Sequence, residues 1–452
     1  MNLLGVIRWN CIFNERLFMN MTTYLSSYKY RSHEYVCNSD VQKEKRMWYW
    51  AGEVFFTSRI DNIGLKSVFD WQLAKGHYVK LGMDMFRYLS KPVNFNLYSR
   101  EWGDILFKEK QPDNEISHIN VRYAYKPDEA NFYIEDEFRY NDWFMLQFGG
   151  RYTLYRIGTM LNQRFNPYVQ LRLKIFEKGE FYWGYSSTVQ YLNLMPSLDV
   201  LFSFSANSWL VMDKNILPKR GQFLDMTYAY NSQCYYFSLS AFYRTIYNRI
   251  IWDDLSKSAI VSQRWNNALW FAEGRSRGLE LMVGGNLNGY KLSMNYTLSW
   301  SNDRSKLYNN KWHAASNDSR HNINLSAYKR FFNEKFDVAL MWGYRTGFPY
   351  TQITDIYQPL QPDGGINDWI PGNLQRNNAK MYSTHYLNMN LNWNFSLGRK
   401  YKGTLSAGVY NLYFNHNPYF VMRLKNLEQR KIEYREVSIS PVLPYIAFIV
   451  KY

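Results

Sequence analysis

The sequence predicts an all-β chain that folds as an antiparallel transmembrane β-barrel. Three observations predict this class: apolar and polar residues alternate over long stretches, short and long polar connections take turns along the chain, and 19% of the 452 residues are aromatic. Aromatic side chains favour strands and collect where a membrane meets water. Mean hydropathy is polar, at −0.47, and no apolar run reaches the roughly eighteen residues that a membrane helix needs. A membrane-spanning chain of this composition therefore has to be a closed barrel, in which lipid-facing and lumen-facing residues alternate.

The alternation is clearest in two segments. Between 292 and 300 every second residue is apolar, and Ser, Asn or Thr occupies each position between them. Between 387 and 397 the apolar residues alternate with four asparagines and a serine. Segments 169–175 and 338–344 continue the pattern. A period of two residues places all the apolar side chains of a strand on one face, which predicts one oily face and one watery face.

The connections also alternate. Short polar turns are predicted at Asn14–Arg16, Lys75–Gly76, Asn141–Asp142, Lys178–Gly179, Ser232–Gln233, Asn288–Gly289, Asn333–Glu334 and Arg399–Lys400. Longer polar connections are predicted near 33–46, 91–116, 158–165, 193–219, 253–269, 303–319, 352–382 and 419–433. Tight periplasmic turns and long external loops are the layout of an outer-membrane barrel, whereas the turns and crossovers of a soluble sandwich mix.

Counting between these connections predicts about seventeen strands, and the segment from Met47 to Leu73 is predicted to be one very long strand. An all-antiparallel barrel closes only with an even number of strands. If the last strand closes a barrel of about 22 strands, the size of outer-membrane transporters, roughly five strands are missing from the N-terminal side. The first thirty residues also lack a signal peptide, because Arg8 and Arg16 fall inside what would be its apolar core. We therefore expect a chain that begins in mid-protein.

Cysteine usage predicts neither a structural disulfide nor a metal site. The chain has Cys11, Cys37 and Cys234, an odd number. Cys11 lies close to a predicted turn and Cys37 about twenty residues beyond that turn, so at about 3.3 Å per residue they would lie at opposite ends of a hairpin. No His or Cys pair has the spacing of metal ligands, and no cofactor is expected.

The net charge of +16 allows two interpretations. A basic chain can bind nucleic acid. The basic residues are scattered along the whole chain, however, with no dense basic run. We therefore interpret them as charges of the lumen and rim, some of them facing the phosphates of lipopolysaccharide, and expect no nucleic-acid partner.

The C-terminal strand predicts a barrel-assembly signal. In "PYIAFIVKY" the residues Ile446, Phe448, Val450 and Tyr452 fall on one face, and the chain ends on the strand with an aromatic residue. A final amphipathic strand of this kind resembles the signal that the bacterial barrel assembly machinery reads. The alternative is an ordinary edge strand.

Four segments, in this order, resemble one family, the TonB-dependent receptors, and their Tyr- and Asn-rich style resembles members from the Bacteroidetes. They are Asn215–Tyr230, with "NILP" before an aromatic strand; Gly274–Val283, with "GRSRGLELMV"; Asp318–Thr351, with "DSRH" and "GFPY"; and Tyr410–Phe420, with "NHNPY". Tyr413 departs from the usual spacing of the last segment.

The resemblance implies a receptor of the outer membrane that takes up a bulky nutrient, such as an iron–siderophore, cobalamin, a glycan or a peptide, with force from TonB. Residues 1–452 would be the C-terminal part of its barrel. The family's plug domain and the box that contacts TonB have no counterpart here, so TonB would act only through a missing N-terminal region, and we expect a fragment. The barrel would meet lipid, lipopolysaccharide and the assembly machinery.

Aromatic residues near the loop bases are the candidates for ligand contacts, because planar or glycan ligands stack on aromatic rings. They are Trp312, Tyr350, Tyr357 and Trp369. The alternative interpretation is the interfacial aromatic girdle that every such barrel carries.

The sequence predicts no catalytic residues and no enzyme. Glu135, Asp136 and Glu137 form an acidic trio, but as strand residues the two glutamates share one face and Asp136 opposes them, which favours a polar strand over a paired-carboxylate hydrolase. A barrel phospholipase or protease would need a Ser/His or Asp/His set that the spacing does not supply. The main alternative function is a porin or adhesin barrel without a TonB link.

Overall fold

The computed structural model describes residues 2–43, 46–102, 117–122, 124–194, 209–252, 269–353, 356–357, 370–371, 375–398, 400–426, 431–439 and 441–451. In this part of the chain no helix is long and apolar enough to span a membrane. A 3-10 turn covers Lys306–Tyr308.

Strands make up almost all of the described chain. The first nine are β1 (Asn2–Asn14), β2 (Leu17–Lys43), β3 (Arg46–Ala74), β4 (His77–Trp102), β5 (Ser117–Arg122), β6 (Asp128–Arg139), β7 (Phe144–Ile157), β8 (Met160–Phe176) and β9 (Gly179–Gln190). The next nine are β10 (Leu192–Leu194), β11 (Trp209–Val211), β12 (Lys219–Asn231), β13 (Tyr235–Trp252), β14 (Leu269–Leu287), β15 (Tyr290–Ser305), β16 (His313–Ala314), β17 (His321–Phe331) and β18 (Phe336–Arg345). The last nine are β19 (Pro349–Tyr350), β20 (Ile356–Tyr357), β21 (Ile370–Pro371), β22 (Ala379–Lys380), β23 (Thr384–Leu397), β24 (Tyr401–Tyr410), β25 (Pro418–Asn426), β26 (Lys431–Ser438) and β27 (Leu443–Lys451).

One large antiparallel sheet forms the wall. It contains 19 strands, and each long strand pairs with the next long strand along the chain, as in the hairpins β1–β2 and β14–β15. Two of its members are short pieces beside longer neighbours, β5 next to β4 and β16 next to β15. Leaving these two out gives 17 wall strands, so the predicted fold class and strand number are confirmed.

Three predicted connections are wrong in their bounds. Residues 33–43 are strand rather than loop, because β2 continues to Lys43. The very long strand predicted from Met47 to Leu73 is confirmed by β3, which runs from Arg46 to Ala74. Likewise β4 continues to Trp102, and β8 begins at Met160 after a tight turn. Above a membrane both faces of a strand meet water, so polar residues in the sequence do not distinguish a strand from a loop there; the strand is defined by its backbone hydrogen bonds.

The two faces of the wall differ in polarity as predicted. On the outer face Leu279 stands opposite Leu298, and outer side chains such as Leu239 and Leu292 are 44% and 42% exposed. On the inner face hydroxyl groups pair instead: the Thr227 hydroxyl donates to Ser240 Oγ across 2.9 Å. Large apolar side chains that are open on one face only are expected where lipid covers that face.

The asparagines of β23 line the inside. Asn390 Oδ1 accepts hydrogen bonds of 3.0 Å from Ser406 Oγ and from the Tyr445 hydroxyl. The other face of the same strand carries Trp393, whose ring stacks on Phe336 with centroids 6.4 Å apart. Phe395 continues this aromatic band. The band lies at the short-turn end of the strands, where an interfacial aromatic girdle belongs.

The sheet has two edges within the described residues. β1 pairs only with β2, and β27 pairs only with β24. β1 runs into the short turn before Leu17, and β27 runs antiparallel to β24, which begins at a short turn. Both edge strands therefore run toward the same end of the wall, and only an odd number of further strands can join them with antiparallel pairing throughout.

Candidate functional site

Three external connections interlock and form a surface that we call the external-loop cluster. It consists of residues 306–320, the described residues 346–353 and 375–383 between β18 and β23, which we call the middle segment, and the paired strands β25 and β26. Arg376 Nη1 donates to the Tyr308 hydroxyl at 2.5 Å, and Asn377 Nδ2 donates to the Ala314 carbonyl at 2.7 Å. These two bonds fasten the middle segment to residues 306–320.

A second set of contacts joins the middle segment to the paired strands β25 and β26. The Ile353 amide donates to the Tyr434 hydroxyl at 2.7 Å, and the Tyr382 amide donates to Glu436 Oε1 at 2.9 Å. The ring of Tyr350 lies 5.8 Å from that of Tyr434. Burial in this contact raises the pKa of Tyr350, with the Glu436 carboxylate acting in the same direction. Of the predicted ligand residues, Tyr350 is the one that the cluster holds in place.

Trp312 lies elsewhere. Its ring is covered by the guanidinium groups of Arg275, 4.2 Å from the centroid, and Arg304, 4.9 Å away. Arg304 also pairs with Glu273, which stands opposite it in register. The pair of Arg304 and Glu273 points outward, because successive residues of a strand face opposite sides and the preceding residue, Asp303, points into the lumen. The structure therefore places Trp312 on the outer side of the wall and does not bring it together with Tyr350.

The remaining predicted residues are placed only in part. Tyr357 pairs through its backbone with Ile370 in the β20–β21 hairpin, and Trp369 and Tyr452 lie outside the described residues. Ile446 and Phe448 share the outer face of β27 and are 80% and 59% exposed. Val450 lies on the same face, 48% exposed.

An ion pair marks the external end of the inner wall. Arg249 Nη1 donates to both carboxylate oxygens of Asp303, each at 2.9 Å, and Asp303 is only 4% exposed. Asp318, 1% exposed, accepts from the Ser301 amide at 2.7 Å and pairs with Arg320. These aspartates have partners of their own, and among the described residues no three His, Cys, Asp or Glu side chains gather as metal ligands.

A polar cavity of about 370 Å³ lies on the inner wall, lined by residues of β6, β7, β8 and β9. Glu135 and Glu129 line it together with Arg151. Glu135 pairs with Lys80 at 3.6 Å. Asp136 points the other way and meets His77 Nδ1 at 2.8 Å. The acidic trio is therefore divided between the two faces as predicted, and its inner members are the polar lining of a lumen.

One connection folds inward over the external ends of the strands. Tyr191 stacks on Tyr155, with centroids 4.4 Å apart, and the Tyr155 hydroxyl donates to the Met212 carbonyl at 2.9 Å. Ser90 Oγ donates to the Trp209 carbonyl at 3.2 Å. Sequence reasoning did not single out these residues or Arg249. Their neighbours in the sequence give little indication of this role, because only the three-dimensional structure shows which tyrosine the connection covers.

A family model described as "TonB dependent receptor-like, beta-barrel" matches residues 8–412. None of the curated proteins matches the chain by sequence.

Solved structures share the fold. The ferric preacinetobactin receptor BauA of Acinetobacter baumannii aligns with a TM-score of 0.58 at 14% identity, over 99% of this chain and 62% of that one. The pyoverdine outer membrane receptor FpvA of Pseudomonas aeruginosa PAO1 gives 0.58 and 14%, over 98% and 60%. The FrpB iron transporter of Neisseria meningitidis gives 0.54 and 12%, over 91% and 67%. The chain spans about three fifths of the length of the first two, 62% and 60%.

Proposed function

This chain belongs to the family of TonB-dependent receptor β-barrels, and from that premise we propose that it forms the wall of a receptor that takes up a bulky nutrient. Its place is the outer membrane. The family is one of receptors and transporters rather than enzymes. The observation that carries the proposal is the match over residues 8–412, which covers most of the wall strands with their polar inner face.

We propose that further segments complete the wall and fill it. Because β1 and β27 run toward the same end, an odd number of additional strands closes the barrel. A total of about 22, as in large transporters, corresponds to about five more. A plug domain then occupies the polar lumen and receives force from TonB, so TonB contacts the plug segment rather than residues 1–452.

The external-loop cluster is the proposed entrance for the ligand. Tyr350 supports this role, since its ring stands at the base of the loops beside Tyr434, and we keep Tyr357 and Trp369 as candidates for ligand contact. Trp312 is not favoured, because Arg275 and Arg304 cover its ring on the outer side of the wall. The names of the structural relatives favour a ferric chelate as the first ligand to try, ahead of cobalamin, a glycan or a peptide.

The test is uptake by cells that make the receptor. Radiolabelled ferric citrate, a ferric siderophore and cobalamin serve as probes, with and without the gene segment and with and without TonB. We expect uptake of one probe to fall to background after either removal. Uptake that needs this chain but persists without TonB would establish the porin alternative, and loss of surface attachment without any change in uptake would establish an adhesin.

A loop variant localises the site. Tyr350→Ala should weaken uptake at limiting probe concentration and leave the amount of folded barrel unchanged. Tyr401→Ala, which removes an exposed aromatic at the opposite end of the wall, is the matched control and should leave uptake unchanged.

We further propose that β27 is the strand that the barrel assembly machinery recognises, through Ile446, Phe448, Val450 and Tyr452. The first three support this by their shared exposed face on an edge strand. Phe448→Asp should lower the amount of folded protein in the outer membrane, whereas Ile449→Asp, on the opposite face, should lower it less. Equal losses would contradict the proposal.

Lipopolysaccharide is the proposed lipid partner at the external end. Arg275 and Arg304 stand on the outer side of the wall there, held over Trp312, and guanidinium groups bind phosphate well. Replacing both arginines by Ala should lower the lipopolysaccharide that remains bound on purification. Unchanged retention would remove the support for this partner.

A further inference from the structure

An apolar groove opens on the outer face near the short turns, and we call it the periplasmic groove. Its volume is about 770 Å³, and its lining is formed by side chains such as Tyr235, Leu292, Leu325 and Trp342. This volume lies within the range of roughly 300–1,000 Å³ that is common for small-molecule sites. The polar inner cavity lies on the other side of the wall, so the two are separate.

Small residues in the strand register produce the groove. One row across the outer face runs Tyr235, Gly285, Leu292, Ala327 and Leu340, each directly opposite the next. Gly285 and Ala327 therefore leave two gaps in an otherwise bulky row.

The next row toward the external end has no such gap. It contains Val283, Met294, Leu325 and Trp342, again opposite one another in register. These side chains form the upper wall of the groove, and the gaps below them form its floor.

A lysine stands at the periplasmic rim of the groove. Lys329 is two residues beyond Ala327 on β17, so it shares the outer face, and its Nζ lies 3.3 Å from the ring centroid of Tyr290 on the neighbouring strand. Among the described residues no carboxylate forms an ion pair with it. A cation at this level lies where a lipid of the inner leaflet carries its phosphate.

We propose that the periplasmic groove binds an anionic phospholipid of the inner leaflet of the outer membrane, with an acyl chain over Gly285 and Ala327 and the phosphate on Lys329. The chain's membership of an outer-membrane family puts lipid hydrocarbon against this face. The groove's lining is apolar, and its cation stands at one end only, which matches a molecule that is charged at one end. A lipopolysaccharide does not fit, because its phosphates lie at the external end of the wall.

The site is pre-organised. The Tyr290 ring holds the Lys329 ammonium through a cation–π contact, and the ring itself lies at the level of the aromatic girdle. The occupant is distinct from the transported nutrient, since the groove is on the lipid side of the wall. The inference depends on the membrane location and not on the proposed uptake.

Binding can be measured by native mass spectrometry of the purified chain in detergent, with palmitoyl-oleoyl phosphatidylglycerol or the matching phosphatidylcholine added. We expect the protein to retain phosphatidylglycerol in preference to phosphatidylcholine. Lys329→Gln should reduce that preference by about fivefold, the factor expected for one lysine near an anionic lipid surface. Ala327→Trp, which fills the floor, should abolish retention of both lipids.

Two variants control for charge and for bulk. Lys291→Gln removes a lysine that contacts Tyr328 in the same way on the inner face, with Nζ 5.7 Å from the ring centroid. Ala241→Trp adds the same bulk on the outer face away from the groove. Both should retain lipid like the unaltered chain, and the heat-dependent shift of the folded band on a denaturing gel checks that each variant is folded.

Equal retention of the two lipids by the unaltered chain would overturn the headgroup assignment. An equal loss of preference in Lys329→Gln and Lys291→Gln would overturn the site, because net charge alone would then explain the binding. These outcomes leave the uptake proposal untouched, since that proposal is tested by transport.

Discussion

Tyr133 lies across Gly82, which stands directly opposite it on the neighbouring strand, and a Cβ at Gly82 would overlap the tyrosine ring. The same relationship recurs on the inner face between Tyr24 and Gly64. Further pairs of this kind are Tyr236 with Gly284, Tyr386 with Gly343, and Tyr445 with Gly408. Each glycine leaves room for a large ring on a curved wall. Each pair therefore joins two adjacent strands that belong to neighbouring hairpins, on the inner face of the wall.

Gly82→Val is expected to destabilise the barrel by about 1–3 kcal/mol, because overpacking forces the Tyr133 ring out of place. The measurement is the temperature at which the folded band on a denaturing gel is lost. Gly5→Val is the control, since a Cβ at Gly5 meets nothing within 4 Å, and it should leave that temperature almost unchanged. Equal effects of the two substitutions would show that the ring contact has no structural role.

Arg249→Ala should destabilise the wall by roughly 2–4 kcal/mol, because it leaves the buried Asp303 carboxylate without its charged partner. Removing both groups in Arg249→Met with Asp303→Leu should restore most of the loss. Chemical denaturation in detergent measures both. Arg59→Ala, which breaks a more exposed pair with Asp61, should cost about 1 kcal/mol or less. A double variant no more stable than Arg249→Ala would contradict this account of the pair.

Tyr434→Phe removes the hydroxyl that accepts from the Ile353 amide and should loosen the external-loop cluster by about 1 kcal/mol. Hydrogen exchange should then become faster in the segment between β18 and β23. Tyr445→Phe removes a comparable hydroxyl that binds Asn390 inside the wall and should not change exchange in the loops. Unaltered exchange at Ile353 in Tyr434→Phe would show that other contacts hold the cluster.

Leu239→Arg should prevent stable insertion or cost about 2–4 kcal/mol, since the side chain would enter the lipid near the middle of the membrane. Ser240→Arg, one residue further, points into the lumen opposite Glu280 and should be tolerated. The folded fraction after refolding into lipid vesicles distinguishes them. A higher folded fraction for Leu239→Arg than for Ser240→Arg would contradict the assignment of Leu239 to the lipid-facing side and Ser240 to the lumen.

Much of the fold could be predicted because the strand period depends only on local sequence. The alternation in residues 292–300 gave the correct faces, since a strand has a fixed period of two. The family predicted from short motifs is confirmed by the match over residues 8–412, while the Bacteroidetes affiliation stays a prediction. The number of wall strands, about seventeen, also agrees with the sheet.

What could not be predicted depends on distant parts of the chain. The strand at 33–43 looked like a loop because polar residues carry no period where both faces meet water. Trp312 was placed among the ligand residues because loop aromatics are good stacking partners, but Arg275 and Arg304 reach it from the outer wall. Such contacts follow from register across strands, which a single sequence does not display.

The central claim is that lipid covers one face of the wall strands and water the other, and spin labels along β15 test it most directly. Single cysteines at 292–299, in a chain whose own cysteines are replaced by serine, are labelled in lipid bilayers and probed with oxygen and a water-soluble nickel complex. We expect oxygen access to peak at Leu292, Met294, Tyr296 and Leu298, and nickel access to peak at the polar residues between them. Low access of oxygen to the apolar positions, as in two sheets packed face to face in water, would contradict the account.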